Sequence, residues 1–335
     1  MKILFIGGNG NISWYCVQNA IDRGHEVYLL NRSQTLKTRR DIQSEVHKIT
    51  ADIHDMQQMK SILSEATFDV VADFICYNEN HAREAVELFA GHTKSFVYIS
   101  SEAVYTRAGR NLPFKENCKQ YNTDSVGDSY IAGKILAERF FMDAYRKVGF
   151  PITIIRPFHT YDTIMPVSIG QNDFSAPQKY LEGKPALIAG DGTTLRALTH
   201  SKDFASAFIP LLECRENIIG EDFHIATDEW LTWEEIMQIM FKALGLKEYR
   251  AIHIPYQESL TITCFATGEI ARQRMFHMIG DTSKLKSYVP DWKAKVSFEE
   301  GIRETVAWLM EKPVRRRIIE KYDLALDELY RKYEV

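Results

Sequence analysis

The segment Tyr130-Ile131-Ala132-Gly133-Lys134 sets a phenol and an ammonium four residues apart, so on a helix the two share one face. A free phenol has a pKa near 10, and service as a proton acceptor near neutrality requires roughly 4 kcal/mol of preferential phenolate stabilisation. A neighbouring lysine supplies charge of the right sign. The spacing alone is weak evidence, because among 16 tyrosines a chance match is expected, and Tyr180-Leu181-Glu182-Gly183-Lys184 is one. Position separates them. Tyr130 follows a strand ending in Ser100-Ser101 and opens an amphipathic stretch carrying Leu136, Ala137, Phe140, Phe141 and Ala144, whereas the second pair runs into Pro185, where a helix stops.

A second constellation lies at the amino end. The apolar run Ile3 to Ile6 passes straight into Gly7-Gly8-Asn9-Gly10-Asn11-Ile12-Ser13 and then an amphipathic stretch. Glycines in such a turn let the backbone approach a pyrophosphate, and amides at the following helix start face its charge, so Gly7, Gly10, Asn11 and Ile12 are candidate dinucleotide contacts. Ser13 stands where the fingerprint expects a third glycine, a small residue that still permits close packing. The second strand ends in Asn31-Arg32-Ser33, with Lys37, Arg39 and Arg40 beyond and no acid. An acid there would take the ribose 2'-hydroxyl of NAD, while an arginine pairs with a 2'-phosphate, so NADP is favoured and NAD is the alternative. Asp52, after the third strand, is placed to accept from the adenine amino group.

Other reactive types read as structural. His159 and His200 have no acid or cysteine at ligand spacing, and no metal site is expected. Cys16, Cys76, Cys118, Cys214 and Cys264 are odd in number, scattered and without a Cys-x-x-Cys pair, which fits neither a disulfide framework nor zinc and suits a reducing cytoplasm. Trp230 and Trp233 are expected to pack. The Arg315-Arg316-Arg317 triplet is offset by Glu311, Glu320 and Asp323 and reads as a solvated face.

The elements that must position these groups follow from periodicity. Short apolar runs at 3–6, 27–30, 46–49, 68–71, 96–99 and 152–155 alternate with amphipathic stretches at 12–23, 56–65, 79–89 and 130–148. Strand and helix repeated in this way predict a doubly wound α/β fold, a parallel sheet covered on both faces. After Pro157 loop signals dominate. Thr232-Trp233-Glu234-Glu235 and Ser297-Phe298-Glu299-Glu300 have the form of capping boxes, predicting a smaller and mostly helical C-terminal region. The expected division is a Rossmann domain at 1–165 and 197–227 and a substrate domain at 166–196 and 228–335. At 335 residues, 45% hydrophobic and 26% charged, the chain is an ordinary globular one, and 41 basic against 45 acidic residues give no global signature of nucleic-acid or membrane binding.

Together these residues resemble the extended branch of the short-chain dehydrogenase/reductases, the NAD-dependent epimerases, dehydratases and reductases of nucleotide sugars. The glycine loop resembles that branch's fingerprint, and Tyr98-Ile99-Ser100-Ser101-Glu102-Ala103-Val104-Tyr105 its active-site strand. Ile155-Arg156-Pro157 resembles its sixth strand, Gly190-Asp191-Gly192 with Arg196, His200 and Asp203 its diphosphate segment, and Asp281-Thr282-Ser283-Lys284 with Trp292 its C-terminal signature.

The resemblance implies a triad. Ser101 would hydrogen-bond the substrate oxygen, Tyr130 would exchange its proton as hydride moves, and Lys134 would also hold the nicotinamide ribose. Glu102 and Arg196 would meet the substrate, Arg196 at its phosphates. Dehydratases of the branch resemble Thr-Asp-Glu where this chain has Ser101-Glu102-Ala103, so dehydration lacks its second carboxylate, and epimerisation or reduction of a nucleotide sugar remains. A short segment 73–95, with Asn31-Arg32, resembles an atypical subgroup that includes chloroplast stem-loop RNA-binding proteins. The alternative reading is therefore a non-catalytic nucleotide-sensing or RNA-binding protein on the same fold. The remaining expectations are a cytoplasmic homodimer with no membrane and no nucleic-acid partner.

Overall fold

A computed structural model describes residues 1–32, 39–64, 66–106, 112–118, 129–259 and 274–333. Ser33, Lys37 and Cys264 lie outside the described residues. β1 (Lys2–Ile6), α1 (Ser13–Asp22), β2 (Glu26–Asn31), β3 (His47–Thr50), α2 (Met56–Leu63), β4 (Val70–Asp73), α3 (Glu79–Phe89), β5 (Phe96–Ile99), α4 (Ser129–Val148) and β6 (Ile152–Pro157) alternate as the periodicity requires. β7 (Thr160–Tyr161), α5 (Ser175–Leu181), β8 (Ala186–Ala189), β9 (Leu195–Ala197), β10 (Thr199–His200) and α6 (Ser201–Glu213) then lead to β11 (Asp222–Ile225). The chain continues through β12 (Trp230–Thr232), α7 (Trp233–Ala243), β13 (Ala251–Ile254), α8 (Tyr256–Ser259), α9 (Ser283–Tyr288), α10 (Phe298–Glu311) and α11 (Glu320–Lys332).

The main sheet has seven strands in the order β11-β6-β5-β4-β1-β2-β3, and each neighbouring pair is parallel. β1 is buried on both faces. Ile3 and Phe5 enter a core with α1 and α6, whereas Leu4 and Ile6 enter a second core with α2, α3 and α4. Chain order reverses between β1 and β4, which opens a crevice at their carboxyl ends, the place where open α/β sheets bind ligands.

One strand lies two residues later than the apolar run implies. β4 spans Val70–Asp73 because Ile3 to Ile6 register against Val70 to Asp73, while Phe68 makes only an isolated bridge to Thr93 and carries the Lys2 ammonium over its ring. The C-terminal helices behave as their capping signals require: Thr232 with Glu235 and Ser297 with Glu300 form complete capping boxes. A third core gathers Trp233, Met237, Phe298, Ile302 and Tyr330 around β8. Leu285 and Trp292 pack instead into the sheet core beside α6.

Candidate active site

A cleft of about 800 Å³ opens over the switch point, lined by Gly7, Gly10, Asn11 and Ile12 at one end and by Glu102, Tyr130, Lys134 and Arg196 toward the other. The glycine loop owes its shape to specific steric demands. Gly7 has φ +76°, and a Cβ on it would lie 2.5 Å from the Ile75 side chain. A Cβ on Gly8 would collide with Leu29, Phe5 and Val17, so Gly8 serves packing. Ser13 is more than a small substitute for glycine: its hydroxyl accepts from Gly10 N at 2.9 Å and donates to Gly7 O at 2.7 Å, stapling the loop. Ile12 provides no capping side chain; Trp14 N donates to Gly10 O at 3.2 Å, and Ile12 and Ser13 at the start of α1 line the cleft. Asn11 is a bracket, donating to Thr160 O and accepting from Thr163 N.

Lys134 is buried on α4. Its ammonium donates to Cys76 O at 2.7 Å and Ile99 O at 2.8 Å, which leaves one of its three N–H groups beyond these two bonds. The rings of Tyr98, Tyr77 and Tyr130 surround it at 4.9, 5.0 and 5.8 Å. Burial pulls the Lys134 pKa down to about 8, against the opposing pull of Cys76, Asp73 and Glu138. Tyr130 is 43% exposed at the cleft, 6.5 Å from the half-exposed Tyr77 ring. Tyr77 carries no sequence signal of its own, since it follows β4 in a loop with no motif.

The active-site strand divides its work among adjacent residues. Ser100 faces the cleft and donates to Glu138 Oε1 at 2.5 Å, while the Ser101 hydroxyl accepts from Ala103 N at 3.2 Å and caps a short 3₁₀ turn. Glu138 in turn receives both Nε and Nη2 of Arg156, at 2.8 and 2.7 Å, and Arg156 also donates to Tyr105 and Asp222. Glu138 falls four residues after Lys134, so one helix face carries Tyr130, Lys134 and Glu138. That spacing was the available signal for it.

At the other end Glu102 is held by His159 N, 3.2 Å from Oε2, and by Arg196 Nη2, 3.4 Å from Oε1. Arg196 sits mid-strand in β9, fixed by β12 on one side and Met278 on the other. Its Nε and Nη1 are buried without a partner, as are Gln171 Nε2, Thr160 Oγ1 and Tyr161 O–H, all from residues lining the cleft. Such atoms are costly unless a ligand or water completes them. Arg274 joins Arg196 here, donating to Ser168 O at 2.8 Å. Burial lowers the pKa of both guanidiniums, and Arg196 adds to the effect on Arg274. Burial, with Arg196 and Arg274 beside it, holds His159 far below the usual imidazole range, so its ring is neutral. Sequence reasoning missed His159, Gln171 and Arg274, whose places depend on segments distant in sequence meeting at the cleft.

The remaining expected residues lie apart. Asn31 ends β2, and Arg32, 69% exposed at its side chain, approaches Asp52 Oδ2 at 3.9 Å. Asp52 also accepts from His54 N. Arg39 reaches the cleft instead, its Nη1 donating to Asn9 Oδ1 at 3.1 Å. His200 and Asp203 are structural: His200 accepts from Lys202 N at the start of α6, and Asp203 accepts from Lys295 N and Val296 N. Burial pushes the Cys76 thiol up, away from nucleophilic use. Trp233 is fully buried under the two arginines. No group of three or more metal-ligating side chains occurs among the described residues, and none of their helices is long and apolar enough to cross a membrane.

This fold and cleft define a dinucleotide-binding α/β class, and the comparisons with known proteins specify it. The model of the NAD dependent epimerase/dehydratase family matches residues 3–226, and the chain belongs to that family. It is 25% identical over 316 residues to the chloroplast stem-loop binding protein of 41 kDa b from Arabidopsis thaliana, covering 91% of this chain and 78% of that protein. It is 22% identical over 337 residues to a UDP-N-acetyl-alpha-D-glucosaminuronate decarboxylase from Bacillus cytotoxicus, covering 92% and 98%. Among solved structures it superposes on the Thermotoga maritima UDP-glucose 4-epimerase with UDP-glucose at a TM-score of 0.72, with 19% identity and coverage of 93% and 99%. The Bacillus cereus UDP-glucuronic acid 4-epimerase in complex with UDP-glucuronic acid and NAD matches at 0.72, with 20% identity and the same coverage.

Proposed function

We propose that the protein is an epimerase or reductase of a nucleotide-linked sugar that uses a nicotinamide dinucleotide, with Ser101, Tyr130 and Lys134 as its triad. The observation that carries this reading is that Tyr130 and the buried Lys134 line the same cleft as the stapled glycine loop. The residues present fit the cofactor: Gly7, Gly10, Asn11 and Ile12 bring the glycine loop to the cleft wall, and the start of α1, without a side-chain cap, turns its positive end to a diphosphate.

When bound, the dinucleotide supplies the hydride acceptor or donor. Tyr130 holds and moves the proton at the sugar hydroxyl, and the Lys134 ammonium, 5.8 Å from its ring centroid, favours the phenolate. The remaining Lys134 N–H is directed to the nicotinamide ribose. Ser101 orients the substrate oxygen once its hydroxyl turns from Ala103 N. Arg196, with Arg274, takes the substrate diphosphate through charge-assisted bonds. Glu102, fixed by His159 N and Arg196, contacts the sugar. Ala103 leaves the strand without the second carboxylate that dehydration needs.

The cofactor is NADP in this reading, through Arg32 at the adenosine ribose, with NAD as the alternative; Asn31 and Asp52 contact the adenosine. The division into a Rossmann domain at 1–165 and 197–227 and a substrate domain at 166–196 and 228–335 belongs to the same proposal, as do a homodimeric state and a cytoplasmic location. A second reading, RNA binding on this fold, is favoured by the similarity to the stem-loop binding protein. Mass spectrometry of small molecules released by denaturing the purified protein separates the two. A nicotinamide dinucleotide or a uridine or thymidine diphosphate supports the enzyme. Co-purified RNA with no dinucleotide contradicts it.

A further inference from the structure

The Arg315-Arg316-Arg317 triplet is not a solvated face throughout. Pro313 opens a 3₁₀ turn that folds the chain back on α10, and the Arg315 guanidinium lies 4.3 Å from the Trp308 ring with its side chain only 9% exposed. Arg315 donates to Trp308 O and pairs with Glu311, but its Nε is buried without a partner. A second guanidinium meets the same ring. Arg40 makes a two-pronged bond to Asp162, at 2.9 and 2.6 Å, and its guanidinium lies 5.5 Å from the same Trp308 ring. Arg317 O accepts from Phe174 N at 2.8 Å, and Asp173 Oδ2 accepts from Ile319 N at 3.0 Å, so the C-terminal segment is latched to residues 173–174.

Beside the Arg315 turn is a cavity of about 210 Å³, lined by Arg39, Arg315 and Arg317, with Asp173 the one carboxylate among its described lining residues. It adjoins the main cleft, sharing Asn11, Arg39, Ile164 and Asn172 with it. With Arg315 balanced by Glu311, Arg39 and Arg317 against Asp173 still leave a surplus of positive charge facing a space large enough for about seven waters. Asp173 Oδ1 is also buried without a partner, and it can accept a proton-bearing oxygen. An anion that both accepts from arginines and donates to a carboxylate matches this lining, which is the chemistry of a partly protonated phosphate.

We propose that this cavity is a phosphate-binding site between the glycine loop and the C-terminal helices, formed by Arg39, Arg315 and Arg317. It goes beyond the nucleotide-sugar reading and does not depend on it. The phosphate is separate from the cofactor, whose diphosphate the proposed function assigns to the glycine loop and whose 2'-phosphate it assigns to Arg32, neither of which lines this cavity apart from the shared Asn11.

The test is calorimetric titration of the full chain with inorganic phosphate, for the wild type, Arg317→Ala and Arg317→Lys, repeated after saturation with NAD+ and with NADP+. Arg317 is exposed and lines only this cavity of the two, so its variants leave the main cleft intact. The expected result is one phosphate per chain, with affinity falling roughly tenfold or more in Arg317→Ala and largely kept in Arg317→Lys. Persistence of phosphate binding after saturation with NAD+ and with NADP+ supports the proposal, whereas loss after either assigns the binding to the cofactor's own phosphates and overturns it. Unchanged affinity in Arg317→Ala, or no phosphate binding by the wild type, overturns the proposal.

Discussion

Arg196 and Arg274 share one indole: each guanidinium carbon lies 5.7 Å from the Trp233 ring centroid, and both side chains are buried. Among the described residues the only carboxylate bonded to either is Glu102, at 3.4 Å from Arg196. Two buried cations beside a single carboxylate suit the anionic ligand of the proposed function. Arg274→Met therefore weakens binding of UDP roughly tenfold to a hundredfold in calorimetry, and UDP raises the unfolding midpoint of the wild type more than that of the variant. Equal UDP affinities would show that the pair serves only packing.

The staple across the glycine loop predicts a coupled loss. Ser13→Ala removes both the acceptor for Gly10 N and the donor to Gly7 O. Stability drops by about 1–2 kcal/mol in thermal unfolding, and NADH affinity falls severalfold in fluorescence titration because the loop is no longer preset. A variant with undiminished NADH affinity would mean that the loop is held by its backbone alone.

The Lys134 ammonium sets a pH limit. Its pKa, lowered by burial to about 8, means the charge is present below that value and lost above it, so kcat/KM falls as pH rises through about 8. An ordinary lysine would keep its charge to about pH 10. The pH profile measured with a UDP-sugar that the protein turns over checks this, and activity that holds to pH 10 removes Lys134 from the proton chemistry.

In the proposed function cofactor choice rests on Arg32, whose exposed guanidinium is only loosely paired with Asp52. NADPH is expected to bind more tightly than NADH, and Arg32→Ala to abolish the difference while leaving NADH affinity near its original value. Identical affinities for the two in the wild type would assign the protein to NAD.

Much of this architecture was legible because it is written in local periodicity. The alternation from Ile3 to Ile155 led to the parallel sheet, and the capping boxes at Thr232 and Ser297 marked two helix starts. The Tyr130 and Lys134 spacing put both residues on one cleft because a single helix fixes it. What could not be read depends on distant segments meeting. Arg274 meets Trp233 from 41 residues away in sequence, and Arg315 is buried because Trp308 lies beneath it. Ser13 was readable as small, but its staple required the loop's actual curvature. Arg32 and Arg39 looked equivalent as basic residues, yet only Arg39 lines the cleft.

In the proposed function the Tyr130 phenol moves a proton while hydride is exchanged. Tyr130→Phe keeps the ring, its place beside Lys134 and the cleft, and removes only the hydroxyl. Turnover of the nucleotide sugar is expected to fall by roughly a hundredfold to ten-thousandfold, with dinucleotide affinity unchanged. Turnover equal to the wild type would contradict the account.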